Sequence, residues 1–204
     1  ADIANLEAIQ PAFENIDTVI HLAAELNDSW PDILQTNIVG TYNVFEAARQ
    51  AGIERVIAAS SGSTIAGYES IEPYKALGEG RYDDAGEWEN LTHLSPIHPK
   101  GIYGCTKVWG EALARHFSDT AGMSMICLRI GAVNAEDRPL QTRQKSVWCS
   151  QRDIAGIVRH CIEAPASVKY DIFYVISNNK YGYRDMTHAK EVLGFEPQDS
   201  ADDR

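Results

Sequence analysis

The sequence has few cysteines and no long apolar run. Its four cysteines, Cys105, Cys127, Cys149 and Cys161, show no paired spacing. We therefore expect buried thiols in a reducing compartment rather than disulfides or metal ligands. No apolar run reaches the roughly 18 residues that a membrane span needs, and the first residues do not resemble a signal peptide.

Positive charge is also scarce. Lysine and arginine number 18 against 29 aspartates and glutamates, which gives a formal net charge of −11. An acidic surface repels phosphate backbones and anionic lipids, so we expect binding neither to nucleic acid nor to a membrane. Together with the unpaired cysteines, this predicts a cytoplasmic protein.

What the sequence does contain is a regular alternation of apolar runs and helical patterns. Apolar runs typical of buried strands cover residues 18–24, 55–60, 124–130 and 170–177, and helical patterns cover residues 5–15, 31–50, 100–121, 150–164 and 185–193. Asp28 is predicted to cap the second helix and Gly52 to end it. This alternation predicts an α/β fold with a parallel sheet, and 204 residues predict a single domain.

Two long segments lack a periodic pattern. Residues 62–99 are rich in Gly, Pro, Glu and Asp, and residues 131–149 are a second irregular stretch. Long segments without regular structure inside a domain are usually functional or disordered. We therefore expect residues 62–99 to form a long loop.

A tyrosine and a lysine give the first indication of chemistry. Tyr103 and Lys107 are four residues apart in a helical pattern, so their side chains share one face. A phenol with a pKa of about 10 is a poor base at neutral pH. A nearby ammonium lowers that pKa, and the pair can then accept a proton from an alcohol. Alone, this spacing is common and fits an ordinary amphipathic helix equally well.

The context of this pair resembles the extended short-chain dehydrogenase/reductase family, and within it the NAD-dependent sugar and uronate dehydrogenases. The resemblance is carried from Ala1 to about Pro197 by VIHLAA, NIVGTYNVFEAAR, AASS, YGCTK, LRIG, SVWCSQRD and LGFEP. It implies a Rossmann-like, doubly wound parallel sheet, NAD as cofactor, a sugar substrate and no metal. It also implies a homodimer through helices 31–50 and 100–121, with Val108 and Trp109 exposed on the second.

One family feature is missing. The family opens with strand, G-x-x-G-x-x-G and helix, which hold the cofactor pyrophosphate, and no such motif occurs here. The chain therefore resembles an N-terminally truncated member, residues 1–204 forming one NAD(P)-binding domain without the first βαβ unit. Strand 18–24 would then be an exposed apolar edge. Residues 131–149 and 165–204 would form a small substrate-binding part.

The resemblance implies roles for the central residues. Tyr103 would be the catalytic acid/base, and Lys107 would lower its pKa and bind the nicotinamide ribose. Ser61 would hold the reacting hydroxyl or carbonyl; Ser63 remains an alternative, and Ser60 could be purely structural. Asn37 would support the active-site helix and a water path for protons.

The remaining implied contacts concern the cofactor and the substrate. The cofactor contacts are Asp2 and Ile3 at the adenine, Leu22, Ala23 and Ala24 in the turn after the first strand, and Ile130 beside the nicotinamide. For Asp2, capping of the first helix is an equally open interpretation. Arg143 matches the arginine that grips the sugar carboxylate in uronate dehydrogenases, although a solvated surface arginine remains an alternative. The loop histidines His93 and His98 receive no role.

The sequence departs from the uronate enzymes after the second strand. They carry S-S-N-H where this chain has Ser60-Ser61-Gly62-Ser63, so an Asn and a His that would contact sugar hydroxyls are absent. We therefore expect a roomier pocket that accepts aldoses or sugar phosphates better than uronates.

These observations predict an NAD-dependent oxidoreductase that oxidises a sugar or sugar-acid hydroxyl, with the anomeric carbon and a lactone product as one possibility. A nucleotide-sugar epimerase or dehydratase is an alternative, disfavoured because few residues follow Ser150 to build a larger substrate domain. A non-catalytic cofactor-binding or scaffolding protein is a third interpretation, favoured by the missing glycine motif.

Overall fold

The structure, a computed structural model, describes residues 1–27 and 29–204. At its centre is a sheet of four parallel strands in the order β1-β2-β3-β4. The strands are β1 (Thr18–His21), β2 (Arg55–Ser61), β3 (Ser124–Ile130) and β4 (Tyr170–Val175). Ser61 is in register with Ile130, and Ile130 with Val175. Three strands therefore end at the same edge, where open α/β sheets bind ligands.

Helices link the strands and cover both faces of the sheet. They are α1 (Leu6–Ile9), α2 (Trp30–Ile33), α3 (Thr41–Gln50), α4 (Tyr74–Glu79), α5 (Tyr82–Ala85), α6 (Gly101–Ala121), α7 (Gln144–Val147), α8 (Gln151–Glu163) and α9 (Thr187–Leu193). Gly52 and Gly122 adopt positive φ angles of 74° and 70° just after α3 and α6, as expected for helix C-termini. The capping role predicted for Asp28 lies outside the described residues.

The core is divided by the sheet into two layers. Side chains of β2 alternate, so that Val56 packs with Phe45 and Phe117 of α3 and α6, whereas Ile57 packs with Ile157 of α8. This period of two is what a strand covered on both faces requires. The predicted α/β class with a parallel sheet is confirmed.

The second helix is not regular throughout. The pattern over residues 31–50 predicts one helix, and the structure divides it into α2, a π-helical segment (Leu34–Gly40) and α3. A π-helical segment is rare and frequently marks a functional site. Asn37, at its centre, is buried.

The segment 62–99 is more ordered than expected. It contains α4, α5 and two 3₁₀ turns, Gly62–Thr64 and Ala66–Ser70. Ile65 and Leu77 are fully buried and pack with Tyr183 near the C-terminus in a third cluster. The expectation of a long loop was wrong because short helices held by distant apolar partners leave no long periodic pattern.

Strand β1 forms one edge of the sheet and is shorter than predicted. It pairs with β2 alone among the described strands, and Ile20 is 41% exposed, as expected for an apolar edge. The strand ends at His21, so Leu22 to Ala24 lie in the following loop rather than in the sheet. Within the described residues, no helix is long and apolar enough to cross a membrane.

Candidate active site

Three of the predicted residues meet at the carboxyl edge of the sheet. Ser61 is the last residue of β2, and Tyr103 and Lys107 lie in the first two turns of α6. The Ser61 hydroxyl lies close enough to the phenol of Tyr103 to lower its pKa, and it accepts the N–H of Ser63 at 3.0 Å. The Nζ atom of Lys107 lies 5.5 Å from the centre of the Tyr103 ring. Ser61 is thus the serine that contacts the tyrosine.

Helix α6 is positioned by a close contact with the loop that carries Ser61. The N–H of Lys100 donates to the carbonyl oxygen of Ser63 at 3.0 Å. A Cβ at Gly104 would lie 2.6 Å from that same oxygen, and glycine avoids this clash. Gly104 follows Tyr103 directly, so this contact fixes the tyrosine relative to Ser61.

Burial controls the protonation of both members of the pair. It raises the pKa of Tyr103 above its usual value, and the neighbouring Ser61 hydroxyl opposes this only in part. It also lowers the pKa of Lys107 to about 8. The lowering of the Tyr103 pKa by Lys107 stays a prediction, and in the chain alone desolvation favours the neutral forms of both groups.

Lys107 is held from the sheet side. Its Nζ donates to the carbonyl oxygen of Ala59 at 2.8 Å, two residues before Ser61. An ammonium has three donors, so further hydrogen bonds from Lys107 can reach a ribose hydroxyl. The donor set at this edge, an ammonium beside a phenol, fits the nicotinamide ribose of NAD.

Asn37 joins three elements. Its Oδ1 accepts the N–H of Glu25 at 2.7 Å, and its Nδ2 donates to the Glu25 carbonyl at 2.9 Å and to the Thr106 hydroxyl at 3.3 Å. The Thr106 hydroxyl donates to the carbonyl of Tyr103 at 2.8 Å. Asn37 therefore connects the loop after β1 to the first turn of α6, in keeping with its predicted supporting role.

Lys107 also lines a small cavity of about 20 Å³, room for about one water molecule. His21, Asn37 and Glu111 are among its lining residues. The ring of His21 is hydrogen bonded to the hydroxyl of Thr41 at 3.1 Å, and burial together with the charge of Lys107 lowers its pKa to about 4. The sequence analysis did not single out His21.

Ser60 belongs to a buried network that faces away from the phenol. Its hydroxyl donates to Glu111 at 2.6 Å, and Glu111 binds Arg129 through two contacts of 2.8 Å. Arg129 also donates to the hydroxyl of Tyr174. These contacts give Ser60 a place in the buried network. They fit the interpretation that Ser60 is purely structural.

The residues predicted to contact the adenine have local partners. Asp2 accepts the N–H of Ala4 at 2.9 Å, while Asn5 caps α1. The side chain of Ile3 packs directly on Gly40 of the π-helical segment. Leu22 and Ala23 are exposed and Ala24 is half-buried in the loop after β1, and Ile130 is the last residue of β3.

Arg143 does not present an open fork. Its Nε and one terminal nitrogen bind the two carboxylate oxygens of Glu69 at 2.7 and 2.6 Å. The Tyr183 hydroxyl donates to the same carboxylate at 2.6 Å. That this fork grips a substrate anion stays a prediction, and an anion would compete with Glu69 for both nitrogens.

Arg184 lies against Gly62, the residue after Ser61, and the sequence analysis did not single it out. It is 3% exposed, and its guanidinium rests on Gly62, where any Cβ would overlap it. Arg184 stands in the stretch KYGYRDM, which has no periodic apolar pattern. Nothing in this local sequence indicates that Arg184 is buried, apart from the nearby glycine, which is typical of a turn.

His93 has an unexpected neighbour. Its ring stacks on His188 at 3.7 Å between centroids, and His188 contacts Asp171 at 2.7 Å. These three could supply metal ligands within 4.8 Å of one another. The rings are nearly parallel at 15°, however, and an ion must lie in the plane of each imidazole that binds it. The arrangement is therefore that of a stacked pair.

The comparisons with known proteins identify the class. The NAD dependent epimerase/dehydratase family matches residues 1–192, and the chain belongs to this family. This confirms the predicted family, the Rossmann-like fold, the NAD cofactor of the family and the enzyme class.

Particular relatives differ in the sugar that their names specify. The chain is 33% identical to an NAD-dependent glucose-6-phosphate dehydrogenase of Haloferax volcanii, over 98% of this chain and 75% of that protein. It is 32% identical to an L-arabinose 1-dehydrogenase (NAD(P)(+)) of the same organism, over 98% of this chain and 81% of that protein. A crystal structure of a mutant uronate dehydrogenase from Agrobacterium tumefaciens complexed with NAD is 29% identical, with a TM-score of 0.80. The matched region covers 100% of this chain and 69% of the chain in that crystal structure.

Proposed function

We propose that the chain is the catalytic part of an NAD-dependent dehydrogenase that oxidises the anomeric hydroxyl of a sugar to a lactone. The observation that supports this most is that Ser61, Tyr103 and Lys107 meet at the carboxyl edge of the sheet, with the Nζ atom of Lys107 5.5 Å from the centre of the Tyr103 ring. The relatives named for glucose 6-phosphate and for carbon 1 of arabinose support a sugar and its anomeric carbon.

The side chains divide the work by position. Ser61 accepts or donates a hydrogen bond at the reacting oxygen and holds it next to the phenol. Tyr103, as the phenolate, takes the hydroxyl proton. The hydrogen on the same carbon then leaves with both electrons of its C–H bond, as a hydride. NAD, when bound, supplies the acceptor for that hydride. Lys107 donates to the ribose and stabilises the phenolate by its charge.

The raised pKa of Tyr103 makes this chemistry dependent on pH. Because the phenol is the resting form, the fraction of phenolate increases as the pH rises. Oxidation of the sugar should therefore accelerate with pH above neutrality, and the increase should level off above about pH 8, where Lys107 loses its charge.

We propose further that the protein works in the cytoplasm as a homodimer. The four cysteines are free thiols, which supports a reducing compartment. Helix α6 carries an exposed face that is mostly apolar, and an apolar face on the surface supports self-association.

The test is NADH formation with a panel of sugars, together with calorimetric NAD binding. Tyr103→Phe should lower turnover by about 10²- to 10⁴-fold and leave the NAD dissociation constant within about twofold. Ser61→Ala should lower turnover, and raising the pH should not restore the turnover of this variant. Retained turnover in Tyr103→Phe would refute the mechanism. NAD binding without turnover of any sugar by the unmodified protein would identify a cofactor-binding protein instead.

A further inference from the structure

Arg184 is a buried cation with unused donors. Only 3% of it is exposed, and its Nε and Nη1 atoms are buried without a hydrogen-bond partner among the described residues. Burying a charged donor without a partner is unfavourable. Such a group in a native protein needs an explanation, and binding of a ligand is one that fits a buried guanidinium.

The guanidinium lies beside the catalytic serine. It rests on the backbone of Gly62, the residue after Ser61, in space that any side chain at that position would fill. Its carbon also lies 5.7 Å from the centre of the Tyr183 ring. Residue 62 must therefore be glycine for the cation to occupy this place.

Arg184 also lines a cavity. This cavity measures about 330 Å³, and Asn90, Ser177 and Asn179 are among its polar lining residues. That volume is in the range of small-molecule sites. Arg184 thus connects the turn that carries Ser61 with an open space large enough for a sugar substituent.

The other charges nearby already have partners. Glu69 is bound by Arg143 and by the Tyr183 hydroxyl. Asp185 accepts the N–H of Thr187 at 3.1 Å.

The remaining charged pair in the cavity lining is internal. Lys190 lies 3.2 Å from Glu196, and both line the cavity with Arg184. The cluster of Arg143, Glu69 and Arg184 carries a net positive charge, and Asp185, which makes no hydrogen bond to Arg184 among the described residues, is the remaining carboxylate in the cavity lining.

We propose that Arg184 binds an anionic group of the substrate, a carboxylate or a phosphate, and selects acidic over neutral sugars. This rests on the proposed dehydrogenase function, and it replaces Arg143 by Arg184 as the anion-binding arginine. A guanidinium offers two parallel N–H donors that match either anion.

The kinetic test compares D-glucose, D-glucuronate and D-glucose 6-phosphate with NAD in the unmodified protein and in Arg184→Gln. KM for the anionic sugars should rise about ten- to hundredfold, whereas KM for glucose and all kcat values should change less than threefold. Which anionic sugar loses more identifies the carboxylate or the phosphate as the group bound. Arg152→Gln is the matched control, because Arg152 binds Asp199 on the surface.

A second variant keeps the charge and displaces it. Gly62→Ala should push the guanidinium away and raise KM for the same anionic sugar. Equal losses for glucose and the anionic sugars in both variants, or no loss in either, would overturn the proposal.

An activity-independent readout separates this proposal from the function on which it rests. Calorimetry measures binding of D-glucose 6-phosphate and D-glucuronate, without turnover, to the unmodified protein, to Arg184→Gln and to Tyr103→Phe. Binding that disappears in Arg184→Gln but persists in Tyr103→Phe supports the anion site even when no sugar reduces NAD. Unmodified protein that binds neither anionic sugar would overturn it.

Discussion

At the residue scale, burial decides which groups near Tyr103 carry charge. His21, Lys107 and Tyr103 all have pKa values shifted toward their neutral forms, with desolvation as the largest cause. A bound ligand with hydroxyls or charge can restore the ionised forms, so the site is most sensitive to pH before a ligand binds.

His21 gives a stability prediction with a defined pH window. Its pKa is about 4 in the folded chain against 6.5 as a free side chain, so between these values the unfolded chain binds more protons. The stability that depends on neutral His21 is present above pH 6.5 and is lost as the pH falls to about 4. The loss should reach about 3 kcal/mol.

The measurement is urea unfolding at pH 4 to 7. His21→Gln should flatten the decrease of the unfolding free energy over this window, whereas His116→Gln, an exposed histidine of α6, should leave it unchanged. A slope that stays the same in His21→Gln would show that other groups cause the acid sensitivity.

The sequence could single out Tyr103, Lys107 and Ser61, with Ser63 as the alternative to Ser61, because each belongs to a short local motif that the family resemblance interprets. A spacing of four on a helix and a hydroxyl at a strand end survive without knowledge of the fold. Arg184 could not be found this way, because its partner Gly62 is distant in the chain and contact between them depends on the packing of segment 62–99. For the same reason the sequence did not show that Glu69 occupies Arg143.

At the element scale, the position of α6 depends on one glycine. Gly104 allows the helix to approach the carbonyl of Ser63, and this approach aligns Tyr103 with Ser61. Gly110, on the same helix, has no atom within 4 Å of an added Cβ. The helix therefore contains its own matched pair of positions.

Gly104→Ala should destabilise the chain by about 1 to 3 kcal/mol, because the clash is with backbone that must shift. Gly110→Ala should stabilise it by about 0.5 to 1 kcal/mol through helix propensity. Thermal and urea unfolding measure both. Turnover should fall at least tenfold in Gly104→Ala only, and equal stability changes in the two variants would contradict the docking role.

The elements themselves differ in how well sequence predicts them. Strand β3 and helix α8 were located closely, since an apolar run of seven and a Ser150 cap are strong local signals. The π-helical segment was not foreseen, because its central residue Asn37 makes its three hydrogen bonds to residues of other elements, and the local pattern does not show them.

At the scale of the whole molecule, α6 presents a stripe to solvent. Ile102, Cys105 and Ala112 are exposed and Trp109 is half-buried, at spacings of three and four along the helix. Val108 and Trp109 were expected to be exposed, and both are only half-buried. The stripe nevertheless gives a mostly apolar surface next to the catalytic turn, which suits the proposed homodimer.

A homodimer through this stripe has a measurable salt dependence. Each chain carries a formal charge of −11, so two copies repel each other, and salt screens that repulsion. An apolar contact is not weakened by moderate salt. The dimer dissociation constant should therefore decrease when the NaCl concentration is raised from about 50 mM to about 500 mM. Trp109→Glu should give a monomer at micromolar concentration by light scattering, because a charge would be buried without a partner. Arg115→Gln makes the same change in net charge on another face of α6 and should remain dimeric. A monomer in the unmodified protein, or equal dissociation in both variants, would refute this interface, and the stripe would then need another explanation.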